Sequence, residues 1–393
     1  MDSTPPAPTA LRFRAREAPV AWALAGLLVA IVAGCATAHR VGDFDPLRAE
    51  IRARGLDPAA VVIPFELTPE MRQWLVDQKL EGPPEHRLEQ LLQAILHHPS
   101  TEKLAYEAGY TATAEEAFAT GKANCLAFTH LFVAMARAAG LDAYYLRVSD
   151  LERFVRDGDL VVVSAHVTAA FGQPSERRIL DFTDRPLPSY HMVEEISDLS
   201  AIALHYSNRG AELLRAGSVD AARRELEIGV RLDPELADGW VNLGVAQRRS
   251  GRFADAEASY RKALEADPTQ SSAYQNLAAL LNLTGRESEA KGLLELVDRA
   301  TNRNPFSYLA LGDLSLSEGR IAEAERYYRR ALRLGPEQPE PHAALGRWAL
   351  VAGKPREAKN WLRKATKLDP ANDRVAELAK MIERTAPPAR VHS

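Results

Sequence analysis

Apolar positions follow two patterns, in three successive stretches of this chain of 393 residues. From about 65 to 140 they recur at helical spacing and end in the almost wholly apolar run CLAFTHLFVAMARAAG, which predicts amphipathic helices around one buried helix. Between 143 and 182, β-branched and aromatic runs separated by DGD and GQPSE are typical of antiparallel strands and turns. From about 203 the helical spacing returns. This order predicts an α+β domain followed by an all-α region.

Residues that begin and end helices mark the elements of the first region. Thr68 stands before a proline, which is the sequence of an N-cap followed by proline at the first helical position. A second helix is predicted over 86–98, and TAEE at 113–116 has the form of a capping box. The apolar helix is predicted over Cys125–Ala139, with a glycine directly after it.

Strands are predicted at 143–148, 160–171 and 177–182. If GQPSE closes a hairpin with Ala170 opposite Arg177, then His166 lies directly across from Asp181. Directly opposed residues have Cβ atoms ~4.5–5.5 Å apart, within reach of a histidine–carboxylate hydrogen bond. The prediction depends on this register, because a slip of one residue sends the two side chains to opposite faces.

A period of 34 residues dominates the chain from about 203 to 372. The residues that recur most regularly are Gly217, Gly251, Gly285, Gly319 and Gly353, and Ala222, Ala256, Ala290, Ala324 and Ala358. Prolines close four of the five units, whereas the third has Asn302 at that position and Pro305 three residues later. The pattern resembles the tetratricopeptide repeat, a pair of antiparallel helices, and a polar helix over about 375–385 would cap the array.

The amino terminus has the features of a targeting segment. Three arginines precede an uncharged stretch over 18–34, which ends in VAGC. VAGC resembles the lipobox of bacterial lipoproteins, which implies cleavage before Cys35 and acylation at that residue. An uncleaved membrane helix is the alternative. Because Ala36 is not an aspartate, resemblance to Gram-negative lipoproteins implies the periplasmic face of the outer membrane.

Charge and cysteine content exclude several classes of protein. The formal net charge is −4 and no basic block stands out, so the sequence does not indicate nucleic-acid binding. Two cysteines, Cys35 and Cys125, exclude a disulfide framework and a multi-cysteine metal site, and no cofactor or metal is expected. If a lipid occupies Cys35, then Cys125 has no disulfide partner within its own chain.

Cys125 is placed where a nucleophile would be. The start of a helix favours a thiolate, and catalysis further needs a histidine to take the proton and an acid to orient that histidine. His166 and Asp181 are the candidates, and Asn124 with the backbone N–H of Cys125 is a candidate oxyanion contact. His130 is a weaker candidate base. Each residue also has a structural interpretation, since a free cysteine is often a small core residue.

The sequences NCLAFTHLFVAMARAAGLDAYYLRV, SAHV and ILDFTD together resemble the transglutaminase-like superfamily over about 105–185. This resemblance implies a papain-like arrangement, with the cysteine at the start of a buried helix and the histidine and aspartate on adjacent strands. It implies that Cys125 attacks a carbonyl, that His166 shuttles the proton and that Asp181 aligns His166. The acyl group would then pass to water or to an amine.

The predicted organisation covers the whole chain. The predicted parts are a signal peptide (1–34), an anchor and spacer (35–64), an α+β papain/transglutaminase-like domain (65–190), five repeats forming an all-α solenoid (203–372), a capping helix (373–386) and a tail (387–393). The predicted function is a lipid-anchored envelope protein that acts on amide bonds and binds a peptide or protein through its solenoid. The alternative is a non-catalytic scaffold lipoprotein that works through its repeats.

Overall fold

The computed structural model describes residues 44–97, 105–107, 109–157, 160–173, 176–180, 193–299 and 304–385. The predicted lipidation site at Cys35 and the predicted acid Asp181 lie outside these residues. Within the described part of the chain, no helix combines the length and the apolar character needed to cross a bilayer.

Within the residues that the structure describes, five helices precede the main sheet. They are α1 (Asp45–Ala53), α2 (Pro69–Asp77), α3 (Pro84–Leu96), α4 (Ala114–Thr120) and α5 (Cys125–Ala138). The predicted caps are present, because the Thr68 side chain accepts from the Met71 N–H and Thr113 and Glu116 form a reciprocal capping box. In contrast, the sequence did not predict α1. Its Leu47 and Ile51 are fully buried, so part of the predicted spacer belongs to the core.

The strands in the described ranges form two sheets. They are β1 (Ala105–Tyr106), β2 (Lys122–Ala123), β3 (Ala143–Asp157), β4 (Leu160–Phe171), β5 (Arg178–Leu180) and β6 (Val193–Ile196). The first two form a short parallel pair. The other four form an antiparallel sheet in the order β5-β4-β3-β6, and α5 packs against β3 and β4. The register of β3 and β4 shifts between Val148 and Arg153.

Over the described stretches 193–299 and 304–385, five helical hairpins and one further helix follow the sheet. The hairpins are α6 (Asp198–Arg215) with α7 (Val219–Leu232), α8 (Ala237–Arg249) with α9 (Phe253–Ala266), α10 (Ser271–Leu283) with α11 (Glu287–Arg299), α12 (Pro305–Ser317) with α13 (Ile321–Leu334), and α14 (Pro339–Val351) with α15 (Pro355–Leu368). The last helix is α16 (Asp373–Thr385). This is the predicted solenoid of five repeats and a final helix.

Small residues set the spacing of the solenoid helices. In α8, a Cβ on Gly244 would lie 2.4 Å from the Tyr260 ring of α9, and Gly312 meets Tyr328 at the same distance. The glycine of each hairpin turn has a positive φ, as Gly251 does at 73°, a conformation that other residues adopt at a cost. The third unit has its proline three residues late because Pro305 is the first residue of α12, directly after the cap Asn304.

The solenoid shares its first helix with the α+β domain. Leu199, Ile202 and Tyr206 on α6 belong to the core of α1–α5 and the sheet, whereas Ala211 and Leu214 belong to the core of the repeats. Helix α6 begins at Asp198, before the predicted start of the repeats at 203. Its amino-terminal half packs as part of the first domain. The two parts of the chain are therefore joined by one helix whose two halves belong to two separate apolar cores.

Strand β4 extends this contact along the inner side of the solenoid. It packs against α6, α8 and α10, which are the first helices of the first three repeats. An ion pair crosses the same interface, because Arg147 Nη2 of β3 lies 2.9 Å from Asp238 Oδ2 of α8. Within the solenoid, Gln270 Nε2 donates to Asp238 Oδ1 at 2.6 Å. Asn242 and Asn276, which are 34 residues apart on these helices, are fully buried.

Candidate active site

Cys125 is the first residue of α5 and is half-buried. The Asn124 side chain caps the helix, because its Oδ1 accepts from the Ala127 N–H at 2.9 Å, and such a cap is worth about 1 kcal/mol. On the other side, the Thr129 hydroxyl donates to the Cys125 carbonyl at 2.7 Å. The backbone on both sides of the thiol is therefore fixed, and the thiol lies at the positive end of the helix dipole.

The cap is itself held by a hydrogen-bonded chain that reaches the solenoid. Asn124 Nδ2 donates to Thr111 Oγ1 at 2.6 Å, and the Thr111 hydroxyl donates to Glu212 Oε1 of α6 at 2.6 Å. Thr111 and Asn124 are both buried. Burial raises the pKa of Glu212, and the Thr111 bond opposes that rise. The Asn124 amide keeps a second N–H beyond the bond to Thr111, so it could still donate to an oxyanion. This role stays a prediction.

His166 lies on β4, opposite Val148 of β3, and is half-buried. Because β4 packs against α5, the structure brings the strand of the predicted base onto the helix of the predicted nucleophile. The predicted hairpin register is wrong: Ala170 pairs with Ile179 and not with Arg177. The turn closes with the Glu176 N–H on the Gln173 carbonyl, and pairing resumes only at Arg178.

This register differs from the predicted one by two residues, which preserves the alternation of faces along β5. The ladder between β4 and β5 is described over Arg178–Leu180 only, and the Thr168 hydroxyl donates to the Leu180 carbonyl at its end. Asp181 follows directly and lies outside the described residues. The prediction that Asp181 lies directly across from His166 depended on the wrong register and no longer holds, and the role of Asp181 as the acid that orients His166 stays a prediction.

His130, the weaker candidate base, is a core residue. Its side chain is fully buried and lies 2.9 Å from the Tyr145 hydroxyl through Nδ1. The rings of His130 and His205 of α6 are 5.5 Å apart. Burial lowers the pKa of both histidines, and that of His205 falls to about 3. Neutral rings sealed in the interior contribute to packing rather than to chemistry on a substrate.

The sequence did not indicate Thr111 or Glu212 as members of this site. The two residues are 101 positions apart, and neither belongs to a motif. Only the packing of α6 against the first domain brings them together. A polar residue shortly before a predicted capped helix is too common a feature to identify Thr111 in advance.

A concave region lies at the carboxyl-terminal end of the solenoid. A cavity of about 510 Å³ is lined by Glu340 and Arg347 of α14 and by Arg374 and Met381 of α16. Arg374 and Arg347 both pair with Asp313 of α12, which also accepts from a tyrosine hydroxyl. The main contacts of β4 with the repeats, over the described ranges, are with α6, α8 and α10, and neither α14 nor α16 is among them.

Family models match both parts of the chain. A model described as the transglutaminase-like superfamily matches residues 75–168, a range that contains Cys125 and His166. Two models described as the tetratricopeptide repeat match 208–271, and 247–311 with 315–382. No curated protein matches the chain.

Several solved structures are similar to part of the chain. They include pilF of Pseudomonas aeruginosa (24% identity, 46% of this chain and 84% of that chain, TM-score 0.39). They also include MamA of Desulfovibrio magneticus RS-1 (23%, 44% and 97%, TM-score 0.33). A third is a thermophilic TPR protein of Thermus thermophilus (22%, 44% and 94%, TM-score 0.38). The chain therefore combines a transglutaminase-like domain at 75–168 with tetratricopeptide repeats across 208–382.

Proposed function

We propose that this chain is a lipid-anchored envelope protein in which Cys125, His166 and Asp181 act on an amide bond. One observation carries the proposal: a half-buried thiol begins a capped, buried helix, and the strand with His166 packs on that helix. The start of a helix is where a thiolate is stabilised. A thiol that served only to fill the core would be expected within the helix.

In the proposed reaction, His166 takes the thiol proton as Cys125 Sγ attacks the amide carbonyl carbon. The C–N bond then breaks, and His166 gives the proton to the departing amine, which leaves a thioester on Cys125. Water or a second amine then attacks the thioester carbonyl carbon while His166 takes its proton. The C–S bond breaks, the acid or a new amide is released, and the proton returns to Cys125 Sγ. Asp181 would align His166 throughout. Water as the acceptor makes the protein a peptidase or amidase, and an amine makes it an acyltransferase.

The alkylation rate of Cys125 tests the thiol chemistry without a known substrate. The full chain with Cys35→Ser has one thiol, so its reaction with iodoacetamide reports on Cys125 alone. An activated thiolate should react at least about tenfold faster than a model thiol at pH 6, because a free thiol ionises near pH 8.5. His166→Ala should remove this excess, whereas His86→Ala, which changes an exposed histidine of α3, should not.

Two results would contradict the catalytic proposal. Cys125 could resist labelling in the folded protein, or it could react like a model thiol with no effect of His166→Ala. Either result would leave the alternative, a scaffold lipoprotein that works through its repeats.

We propose that the anchor is a lipid on Cys35 and that the protein faces the periplasm from the outer membrane. The support is the VAGC sequence at the end of the apolar amino-terminal stretch. Cys35→Ser should release the protein from the membrane fraction or leave the precursor uncleaved. Unchanged processing and unchanged fractionation in the variant would refute lipidation at this residue.

We propose that the solenoid binds a polypeptide at its carboxyl-terminal end. The inner side of the first three repeats packs against β4, whereas the cavity between α14 and α16 offers an accessible concave surface. A photoreactive residue at Met381 should cross-link a partner in the envelope, whereas the same residue at exposed Lys359 on α15 should not. Equal cross-linking at both positions would show that the cavity does not select the partner.

A further inference from the structure

The hydrogen-bonded chain from Glu212 to Asn124 links a repeat helix to the residue before the thiol. Its two bonds are both 2.6 Å long, and Thr111, at its centre, is 1% exposed. Glu212 lies on α6, the first helix of the solenoid. The chain of bonds therefore crosses from the repeats to the start of α5, where Cys125 is located.

The direction of each bond determines the orientation of the Asn124 amide. To cap α5, Asn124 must present its oxygen to the Ala127 N–H, which places its nitrogen towards Thr111. Thr111 can accept from that nitrogen because its own single hydroxyl hydrogen goes to Glu212. Without an acceptor at position 212, that hydrogen can turn towards Asn124. The amide is then free to flip, and its nitrogen would face the Ala127 N–H.

We propose that Glu212 is a positioning residue of the thiol site, acting through Thr111 and Asn124 and supplied by the first repeat. This inference rests on the proposed function of Cys125 as a nucleophile. Its consequence is that the transglutaminase-like domain needs the first repeat for a fully activated thiol. The capping oxygen holds the first turn of α5 in place, and the first turn carries the N–H groups that stabilise the thiolate.

A purely electrostatic effect of Glu212 predicts the opposite result. A nearby carboxylate disfavours a thiolate, so removing its charge would make the thiol ionise at lower pH. Positioning predicts instead that loss of the acceptor makes the thiol ionise at higher pH. Glu212→Gln separates the two effects, because the Gln oxygen can still accept from the Thr111 hydroxyl while the charge is gone.

The test is the pH dependence of iodoacetamide alkylation between pH 5 and 9.5, in the full chain with Cys35→Ser. We expect Glu212→Ala and Thr111→Val to raise the pH midpoint by roughly half a unit to one unit, which slows alkylation at pH 6 about three- to tenfold. Glu212→Gln should stay at or below the parent midpoint. Glu265→Ala, at an exposed position of α9, is the matched control and should change nothing. Circular dichroism checks that each variant is folded.

Each outcome decides the matter. A raised midpoint in Thr111→Val and Glu212→Ala, with rescue by Glu212→Gln, supports the inference. A lowered or unchanged midpoint in Glu212→Ala overturns it while the proposed function stands, provided that the parent midpoint lies well below about 8.5. A parent midpoint near 8.5 overturns the proposed function and this inference together. If Glu212→Ala does not fold, Thr111→Val and Glu212→Gln still give opposite expectations.

Discussion

The buried pair of His130 and His205 makes stability depend on pH in a way that can be calculated. The two rings face each other where α5 meets α6, 5.5 Å apart, and neither side chain is more than 2% exposed. His130 Nε2 and His205 Nδ1 have no hydrogen-bond partner in the described part of the chain. Burial lowers the pKa of both rings. The charge of His205 lowers the pKa of His130 further, and Arg209 does the same to His205.

The magnitude follows from linkage. His205 has a pKa of about 3 in the folded protein, and the ordinary value of 6.5 applies to the unfolded chain. Well above pH 6.5 the ring is neutral in both states and contributes no pH dependence. As the pH falls below 6.5 only the unfolded chain takes up the proton, so stability decreases down to the folded pKa. At pH 5 the loss is about 2 kcal/mol for one such histidine relative to pH 7.

The perturbation is His205→Phe, which keeps an aromatic ring at the position and removes its titration. Urea unfolding followed by circular dichroism at pH 7 and pH 5 gives the free energy of unfolding for both proteins. The parent should lose about 2 kcal/mol more than the variant between these two pH values. Burial, the larger cause of the low His130 pKa, is unchanged in the variant, so His130 stays neutral in both folded proteins over this range. Equal losses in the two proteins would refute the claim that His205 is neutral in the folded state.

Two further predictions concern the interface and the solenoid. Arg147→Ala should lower the free energy of unfolding by about 3 kcal/mol, because it leaves the buried carboxylate of Asp238 without the cation that it pairs with. Urea titrations measure this loss, and an effect near zero would contradict the importance of the ion pair. Gly244→Ala should cost about 1–3 kcal/mol, because its Cβ would meet the Tyr260 ring at 2.4 Å. Gly292→Ala, at an exposed position of α11, meets no atom within 4 Å and should instead stabilise the protein by up to about 1 kcal/mol. Similar effects of the two glycine substitutions would refute the packing argument.

Features that depend on neighbouring residues could be predicted from the sequence. The Thr113–Glu116 capping box, the Thr68 cap and the helix beginning at Cys125 all follow from local hydrogen bonding, and the structure has them. The repeats were equally predictable, because close approach of two helices requires a small residue at the same position of every unit, as at Gly244. The caps depend on residues a few positions apart, and the repeats depend on a pattern that recurs in every unit, so both can be recognised in the sequence alone.

Features that depend on long-range packing could not be predicted. The β4–β5 register was wrong by two residues because the turn after Gly172 ends later than the GQPSE sequence suggested. The sequence did not predict helix α1, because its apolar run is short. Leu47 and Ile51 are buried only because α1 packs against α6, which is distant in the sequence. The bond between Thr111 and Glu212 has no local sequence signal at all.

Helix α6 belongs to both domains, so neither the stability of the first domain nor the geometry of its thiol site is independent of the repeats. Its first half completes the core beneath α5, with Tyr206 accepting a bond from the Val62 N–H, and its second half carries Glu212 and begins the repeat core. A chain truncated before α6 would lose Ile202 and so expose the apolar residues of the first core that it covers. It would also lose Glu212, which accepts from the Thr111 hydroxyl. The same helix therefore contributes to the stability of the first domain, the geometry of the thiol site and the start of the solenoid. A displacement of the first repeat would act on Cys125 through bonds and packing that are already in place.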